Sequence, residues 1–314
     1  MNKQKFMEDS FDLEETRTLF KKKARKSQEI KKAKKAISVY TVLSAVLALA
    51  IVLIIYKIAV YYIELENSRR IAQMAREFVA ATPAPTPVPT PVPRPTITPE
   101  PVYEHEPEPE DEIIIDLEPE IPEERVILDK IKNLREAFSN DDIVGYLKIE
   151  GTNIDYAVVQ STDNEFYLHR DLNLKNNAAG SIFMDYENNP HEIDRNIVIY
   201  GHNMRNGTKF HNLRHYRDRQ FYENNRYISF TTLYEETTWE IFAIYETTID
   251  FHYIQVIFKS DDEFISLISQ MKAKSLINTG IEVGPNDRVL TLSTCRGTHD
   301  DDRFVVSAKL ITLD

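Results

Sequence analysis

The sequence predicts a mostly-β domain that is carried by a single membrane helix and a proline-rich stalk. All eight glycines lie at or after Gly145, whereas 13 of the 15 prolines fall within residues 83–122. Because turn glycines belong to compact, chain-reversing structure, the globular part is C-terminal, and its roughly 190 residues are enough for one substantial core. Short β-rich runs separated by turn residues fill this part, a spacing typical of an antiparallel sandwich or barrel rather than of βαβ units.

The charge is divided unevenly along the chain. Residues 1–35 contain 12 lysines and arginines and six acidic residues, a local charge of +6, so the net charge of −12 leaves −18 for the remainder. A basic head and an acidic body argue against nucleic acid as the main partner of the folded domain. The single cysteine excludes an intrachain disulfide and is either a buried, inert thiol or a reactive one.

Residues 36–63 form the predicted transmembrane helix. Its first part, residues 36–56, is 21 residues without a charge, long enough to cross the hydrocarbon core. Lys57 and the apolar residues 58–63 are typical of an interfacial anchor. The positive-inside rule then predicts a single-pass protein of the cell membrane, with residues 1–35 in the cytoplasm and the rest outside. A cleaved signal peptide is the alternative, but its apolar core is usually shorter, and no clear cleavage site follows this one.

Residues 64–122 are predicted to be a juxtamembrane helix followed by an extracellular stalk. The composition of residues 64–81 is helical, with apolar side chains among charged ones. Alternating prolines in residues 82–101 favour polyproline II, which rises about 3.1 Å per residue, so this segment reaches on the order of 60 Å. Residues 104–124 are acidic and dotted with proline, a composition typical of disorder. The alternative to a spacer through a cell wall is a proline-rich ligand for another domain.

Residues 123–314 form the predicted globular domain, with two helices among its strands. Residues 126–138 place apolar side chains at i, i+4, i+7 and i+11, the spacing of an amphipathic helix. Residues 261–274 begin with an N-capping pattern and carry their apolar side chains on one face, which predicts a second helix. The predicted strands are residues 143–149, 154–159, 181–184, 196–200, 227–232, 238–247, 289–294 and 304–313.

The last two predicted strands flank a polar loop, residues 296–302. The first strand ends at Cys295 and the second begins at Arg303. If the strands pair as an antiparallel hairpin, the thiol and the guanidinium face each other at the end where the loop joins the two strands. A thiol at a strand end beside a fixed cation is in a setting that favours the thiolate. Strand alternation puts Ser293 and Cys295 on one face and Thr294 on the other.

A cysteine needs a histidine to become a catalytic nucleophile, and eight histidines are present. His202 follows the apolar strand at residues 196–200 through Gly201, which allows a sharp turn that projects the ring from the strand end. These observations alone leave a catalytic and a packing role for His202 equally open. His299 lies in the loop beside Cys295, but a flexible polar loop fixes its position poorly. The remaining histidines lie in the stalk or in segments typical of surface or packing residues: His105, His169, His191, His211, His215 and His252.

Three parts of the sequence together resemble the sortase transpeptidases of Gram-positive bacteria. They are TLSTC at residues 291–295, Arg303 eight residues after the cysteine in RFVVSAKL, and IYGHNM at residues 199–204. The resemblance is narrower to class B sortases, because of the helix at residues 126–138, the FYLHRDL…AAGSIFMDYEN stretch at residues 166–188 and the helix before the cysteine strand. It covers residues 123–314. The three-part match is specific, whereas any one part alone would be weak.

The resemblance implies an eight-stranded β-barrel and a cysteine transpeptidase that needs no cofactor, and no metal site is expected. Carried over by position, Cys295 is the nucleophile and His202 the general acid and base. Arg303 is the group that orients the substrate or stabilises the oxyanion. Ser293 and Thr294 are candidates for the wall of the substrate groove, and a purely structural role for these strand residues is equally open.

The resemblance also implies the partners. The substrates are secreted proteins with a C-terminal sorting signal that is cleaved after threonine, and class B relatives favour signals of the NPxTN or PxTG kind. The acceptor is an amine of a lipid-linked cell-wall peptide precursor, at the membrane that both molecules share. The alternatives are a pilus-polymerising sortase with a lysine acceptor, a cysteine peptidase that hydrolyses the same thioester, and a non-enzymatic wall-spanning protein with an inert Cys295. The acidic run at residues 300–302 departs from the family pattern and is either a solvated surface or a group that tunes Arg303 or binds a cation.

Overall fold

The structure is a computed structural model that describes residues 4–82, 125–295 and 301–313. The chain divides into two compact units, Met1–Ile63 and Glu64–Asp314. The predicted proline-rich stalk beyond Thr82 and the tip of the loop between Cys295 and Arg303 lie outside the described residues, as does the side chain of Cys295.

Helix α1, Gln4–Ala81, provides the first unit and extends into the second. Among the described residues, its Glu15–Ala81 part is long and apolar enough to cross a membrane. Large apolar side chains in its middle are exposed, among them Leu47, Ile51 and Ile54. A helix with apolar side chains all round suits hydrocarbon rather than water, so length and composition allow the predicted span.

Eight strands in the described part of the second unit close into a barrel. They are β1 Ile143–Lys148, β2 Asp155–Val159, β3 Ile182–Met184, β4 Asn196–Tyr200, β5 Tyr227–Thr231, β6 Glu236–Thr248, β7 Val289–Cys295 and β8 Asp302–Leu313. Their order around the barrel is β1-β2-β3-β4-β7-β8-β6-β5. Each strand lies within about two residues of its predicted bounds, because period-two patterning and turn residues mark strands well. The prediction of an eight-stranded, mostly-β domain is confirmed.

Two strand pairs are parallel, which corrects the expectation of an antiparallel architecture. β2 pairs with β3, and β4 pairs with β7, in the same direction. Parallel neighbours need long crossover connections, and the chain supplies them: β5 and β6 intervene between β4 and β7 in sequence. The apolar pattern of a strand encodes which face is buried but not the direction of its neighbour, so the sequence analysis missed this feature.

Apolar cores lie on both sides of the barrel wall at β7 and β8. Leu292 and Val306 belong to the main core. Val289 and Val305 pack instead in a second cluster with helix α4, Asp261–Lys274. Because both faces of this hairpin are packed, a one-residue slip in its register would exchange the two faces. The packing therefore fixes where β7 ends.

Two helices match the predicted ones. α4 has the predicted bounds and begins after Ser260, whose side chain caps it. Helix α2, Asp129–Phe138, begins later than predicted because Leu128 has an extended backbone and donates its N–H to the Leu233 carbonyl. The capping bond and the apolar spacing were visible in the sequence, whereas this backbone bond to a distant turn was not.

Three short helices were not predicted. They are the 3-10 helices Phe166–His169 and Phe210–Arg217 and helix α3, Arg219–Asn224. Segments of this length are too short to show a helical period. The first two matter for the site, because they contain Leu168 and Phe210, which contact His202 and Gly201 after the end of β4.

Candidate active site

The β7–β8 hairpin places Cys295 opposite Arg303. The strands pair antiparallel along their length, and the register also sets Ser293 against Val305 and Thr294 against Phe304. The predicted hairpin is therefore confirmed. Paired residues in such a ladder have Cα atoms roughly 4.5–5.5 Å apart, so the backbones of the cysteine and the arginine are close neighbours at the end of the sheet.

The parallel pairing of β4 with β7 brings a third residue to the same edge. Tyr200, the last residue of β4, pairs with Ser293, and the Gly201 N–H donates to the Ser293 carbonyl at 3.2 Å. Because the strands run in the same direction, the residue after Gly201 emerges beside the end of β7. That residue is His202, so the fold brings its backbone to the strand end at which Cys295 lies.

Gly201 is needed for space at this point. A Cβ on Gly201 would lie 2.4 Å from Ile182 Cδ1 and 2.9 Å from Phe210 Cγ, and both neighbours are buried. The φ of Gly201 lies outside the left-handed region. The close approach of two buried side chains, rather than the turn flexibility expected from the sequence, is therefore the reason for a glycine before His202.

A cleft of about 260 Å³ opens at this edge of the barrel. Its walls are largely apolar with a few polar groups, as is typical of ligand sites. Four of the predicted site residues line it, and Cys295 follows directly in β7. The lining residues are Asn164, Leu168, Phe183, Tyr200, Gly201, His202, Ile249, Phe251, Tyr253, Ile254, Ser293, Thr294 and Arg303.

The His202 ring is held by one backbone contact that determines its tautomer. Its Nε2 lies 2.8 Å from the Leu168 carbonyl oxygen. Because a carbonyl oxygen only accepts, Nε2 carries the proton in this contact. The neutral ring therefore has its lone pair on Nδ1, which is the nitrogen left to exchange a proton with a reacting group.

Burial lowers the pKa of His202 below its ordinary value. The hydrogen bond to the Leu168 carbonyl opposes this shift, and the charges of His169 and Lys209 add to it. The rings of His169 and His202 have centroids 6.2 Å apart. Since desolvation penalises the charged form, burial favours the neutral ring.

Arg303 contributes a permanent positive charge to the cleft. Its side chain is half-buried, and one guanidinium nitrogen donates to the Asp302 carbonyl at 3.0 Å. A guanidinium has five N–H donors in a fixed plane and no acceptor, so it suits a negatively charged oxygen. The position opposite the cysteine is appropriate for an oxyanion formed there.

Ser293 and Thr294 line the cleft in different ways. Ser293 is buried, and its hydroxyl lies 2.8 Å from that of Tyr253. The buried Thr294 hydroxyl has no hydrogen-bond partner among the described residues. Ser293 therefore holds the wall of the cleft together, whereas Thr294 contributes to that wall with its hydroxyl buried.

The sequence analysis missed residues that the β6–α4 connection contributes to the cleft. Ile249, Phe251, Tyr253 and Ile254 all come from this segment. The available signal was a concentration of aromatic and β-branched residues between a strand and a helix, since loops seldom expose several such residues to solvent. The role of Leu168 was not visible, because it acts through its backbone carbonyl.

The other described histidines stand apart from the cleft lining. His211 Nδ1 lies 2.9 Å from the Asn203 side-chain oxygen, and His191 Nδ1 contacts the Tyr234 hydroxyl. His169 is exposed and comes near the site only through its ring contact with His202. His105 and His299 lie outside the described residues.

Comparison with known proteins agrees with this geometry. A family model described as a sortase domain matches residues 147–311. Sortase B of Listeria monocytogenes is 39% identical over 188 residues, which are 59% of this chain and 76% of that protein. Sortase B of Staphylococcus aureus is 36% identical over 174 residues, 55% of this chain and 71% of that protein.

Solved structures of sortase B are also similar to this chain. A Staphylococcus aureus sortase B–substrate complex matches with a TM-score of 0.57 and 34% identity, covering 60% of this chain and 88% of that chain. Clostridium perfringens sortase B matches with a TM-score of 0.54 and 40% identity, covering 58% of this chain and 99% of that chain.

The eight-stranded barrel and the sortase matches together support a cysteine transpeptidase. The chain belongs to the sortase family, and its relatives place it with the class B sortases.

Proposed function

We propose that this protein cleaves a C-terminal sorting signal after threonine and transfers the secreted protein to a cell-wall amine. The parallel pairing of β4 with β7 carries the proposal, because it brings the backbone of His202 to the strand end of Cys295. Arg303 pairs with the cysteine from the other side. A nucleophile, a base and a fixed cation at one edge of an apolar cleft are the groups that acyl transfer requires.

The first step is acylation of Cys295. His202 Nδ1 takes the thiol proton, and the thiolate attacks the carbonyl carbon of the threonine. As the S–C bond forms, the carbonyl π electrons move onto the oxygen. The guanidinium of Arg303 stabilises this oxyanion, an effect worth about 10²–10³ in rate for a single donor.

Expulsion of the leaving amine completes the thioester. The tetrahedral intermediate collapses, the C–N bond breaks, and the imidazolium of His202 gives its proton to the departing nitrogen. Burial helps at this point, because a lowered pKa makes the imidazolium of His202 a stronger acid. The hydrogen bond from Nε2 to the Leu168 carbonyl keeps the ring oriented through both transfers.

The second half of the reaction reverses these roles. The acceptor amine attacks the thioester carbonyl, neutral His202 removes the amine proton, and the S–C bond breaks to release the thiolate, which takes that proton back from the imidazolium. The outcome depends on whether an amine or water reaches the thioester. The apolar walls contributed by Ile249, Phe251 and Ile254 favour a bound peptide over bulk water at this point.

Substrate recognition is assigned to the same cleft. Its apolar walls suit the side chains of an extended peptide, and Ser293 and Thr294 form the part of the wall that leads to the cysteine.

The proposed topology places this chemistry outside the cell. The 12 basic against six acidic residues in the first 35 favour a cytoplasmic N-terminus. The apolar helix is then a single span, and residues 83–122 are a stalk. The sorting-signal protein and a lipid-linked cell-wall precursor would meet the catalytic domain on the outer side of the same membrane.

Intact mass spectrometry of the full chain in detergent tests the proposal. The protein is mixed with a panel of threonine-containing sorting peptides, with and without an amine of the glycine or diaminopimelate type. Wild type should form a thioester adduct that the amine converts into a ligated product, and Cys295→Ala should form none. Cleavage that is indifferent to the amine would identify a peptidase instead, and the absence of any adduct would refute the proposal.

A further inference from the structure

Residues 64–82 of α1 pack against the barrel, within the same compact unit. The side chains of Ser68 and Ala75 are buried there, with Ala75 fully covered. At the start of the segment, the Glu64 carbonyl accepts from the Asn177 side-chain amide at 3.1 Å, and the Glu64 carboxylate accepts from the Ala178 N–H at 3.2 Å. The segment is therefore docked by apolar contact and by specific hydrogen bonds.

Glu64 binds the loop at residues 177 and 178, and this loop continues to the Leu168 carbonyl, which accepts the hydrogen bond from His202. The Asn177 N–H donates to the His169 carbonyl at 2.9 Å. Gly180 has a φ of +54°, and a Cβ there would lie 2.4 Å from the Leu168 carbonyl oxygen. The loop therefore backs the oxygen that accepts from His202 Nε2, and any side chain at position 180 would displace that oxygen.

Lys209 provides a second connection between the helix and His202. The segment from His202 to Phe210 is closed by a hydrogen bond from the Phe210 N–H to the His202 carbonyl at 2.9 Å. Lys209, just before Phe210, is only 6% exposed and donates its backbone N–H to the Tyr156 hydroxyl. Burial lowers the pKa of Lys209 to about 8, against the opposing charge of Asp171.

The helix provides part of the cover over Lys209. A small cavity of about 20 Å³ separates the two, and it is lined by Ser68, Ala72 and Ala75 on the helix side and by Lys209 and Asp171 on the barrel side. A buried ammonium is unfavourable unless an opposite charge compensates it, and Asp171 supplies that charge. Removal of the helix would expose Lys209 to water, next to the segment that carries His202.

We propose that residues 64–82 are a positioning element for the acid–base histidine, acting on His202 through the Leu168 carbonyl and through Lys209. The inference rests on the proposed function of His202. It makes the membrane-proximal helix part of the active-site architecture, with Gly180 and Lys209 as positioning residues that touch no substrate. Among the described residues, the charges of His169 and Lys209 act on the ring, Arg303 lines the same cleft, and the charge of Asp171 acts on Lys209.

The main test compares Ala75→Asp with Ala80→Asp in the full chain, reconstituted in nanodiscs. Both changes introduce the same charge on the same helix, but Ala75 is buried and Ala80 is exposed. The tautomer and pKa of His202 are read by NMR of ¹⁵N-histidine-labelled protein, with His202→Gln to assign the signal. Hydrogen exchange of residues 64–82 reports whether the helix is docked.

Ala75→Asp is expected to lose protection in residues 64–82, to lose the Nε2–H tautomer preference of His202 and to lower kcat/KM by about 10²-fold, as a 1 Å misplacement does. Ala80→Asp should match wild type in all three. An undocked Ala75→Asp protein with an unchanged His202 tautomer and pH profile would overturn the proposal.

Two further variants keep the test decisive if Ala75→Asp does not fold. Lys209→Met preserves volume and removes the charge, so the pKa of His202 should rise and the acid limb of kcat/KM should move to higher pH. Gly180→Ala should displace the Leu168 oxygen and reduce the Nε2–H tautomer. An unchanged His202 signal in both variants would overturn the proposal. Because these NMR readouts need no turnover, normal thioester formation by His202→Gln would refute the proposed function separately.

Discussion

Gly201→Ala probes the close packing that brings His202 to the cysteine strand. The added Cβ would meet Ile182 Cδ1 at 2.4 Å and the Phe210 ring at 2.9 and 3.0 Å, whereas carbon atoms prefer about 3.5–4.0 Å. Ile182 and Phe210 are at most 1% exposed, so neither can move into solvent. Something must shift by about 1 Å, and such overpacking costs about 1–3 kcal/mol of stability.

The shift should reach His202, which is the next residue. A displacement on the order of 1 Å at a catalytic group lowers the rate by about 10²-fold. We therefore expect Gly201→Ala to lose kcat/KM on a sorting peptide by about that factor and to lower the urea midpoint. Gly284→Ala is the matched control, because its Cβ would meet only the Asp287 carboxylate at 3.6 Å and its φ is not left-handed.

The two measurements separate stability from positioning. A Gly201→Ala protein that is less stable but keeps wild-type kcat/KM would mean that Ile182 and Phe210 yield without moving His202. That result would refute the argument that Gly201 sets the position of the ring. Loss of activity in Gly284→Ala would show that the assay responds to any glycine substitution.

The remaining predictions concern the cleft and its charges. Tyr253→Phe should destabilise the protein by about 1–3 kcal/mol in urea unfolding, since it leaves the buried Ser293 hydroxyl without its partner; Tyr253→Phe with Ser293→Ala should recover most of that loss, and strictly additive losses would contradict the pairing. Because burial lowers the pKa of His202 and acylation needs the neutral ring, kcat/KM should rise with pH along an acid limb that lies below the ordinary histidine value of about 6.5. An acid limb above that value in the peptide assay would contradict the assignment. Arg303→Lys keeps the charge but loses the planar donors, so it should lower kcat by about 10²-fold with little change in the urea midpoint; wild-type kcat would exclude an oxyanion role.

The sequence contains most of the information on the barrel and on the cysteine–arginine pair. Strand positions follow from period-two patterning, and the β7–β8 register follows because Leu292 and Val289 must face different cores. The position of His202 was harder to predict, since it depends on the parallel pairing of β4 with β7. No local pattern specifies that pairing, and the motif resemblance supplied what periodicity did not.

Other parts of the site depend on backbone atoms and on packing between distant segments. The Leu168 carbonyl acts without its side chain, so its residue type carries no signal. Lys209 appears in the sequence as an ordinary charged residue two positions after Gly207, yet it is buried. The docking of residues 64–82 depends on small side chains such as Ala75, whose burial is set by the surface they meet.

The thioester on Cys295 is the most direct test of the account. Full-length protein is incubated with a sorting peptide in the absence of amine, digested and analysed by mass spectrometry to locate the adduct. The account predicts the N-terminal peptide fragment, ending in threonine, on Cys295, its slow formation in His202→Gln and its release as a ligated product when an amine is added. An unmodified Cys295 in protein that nevertheless cleaves the peptide would contradict it.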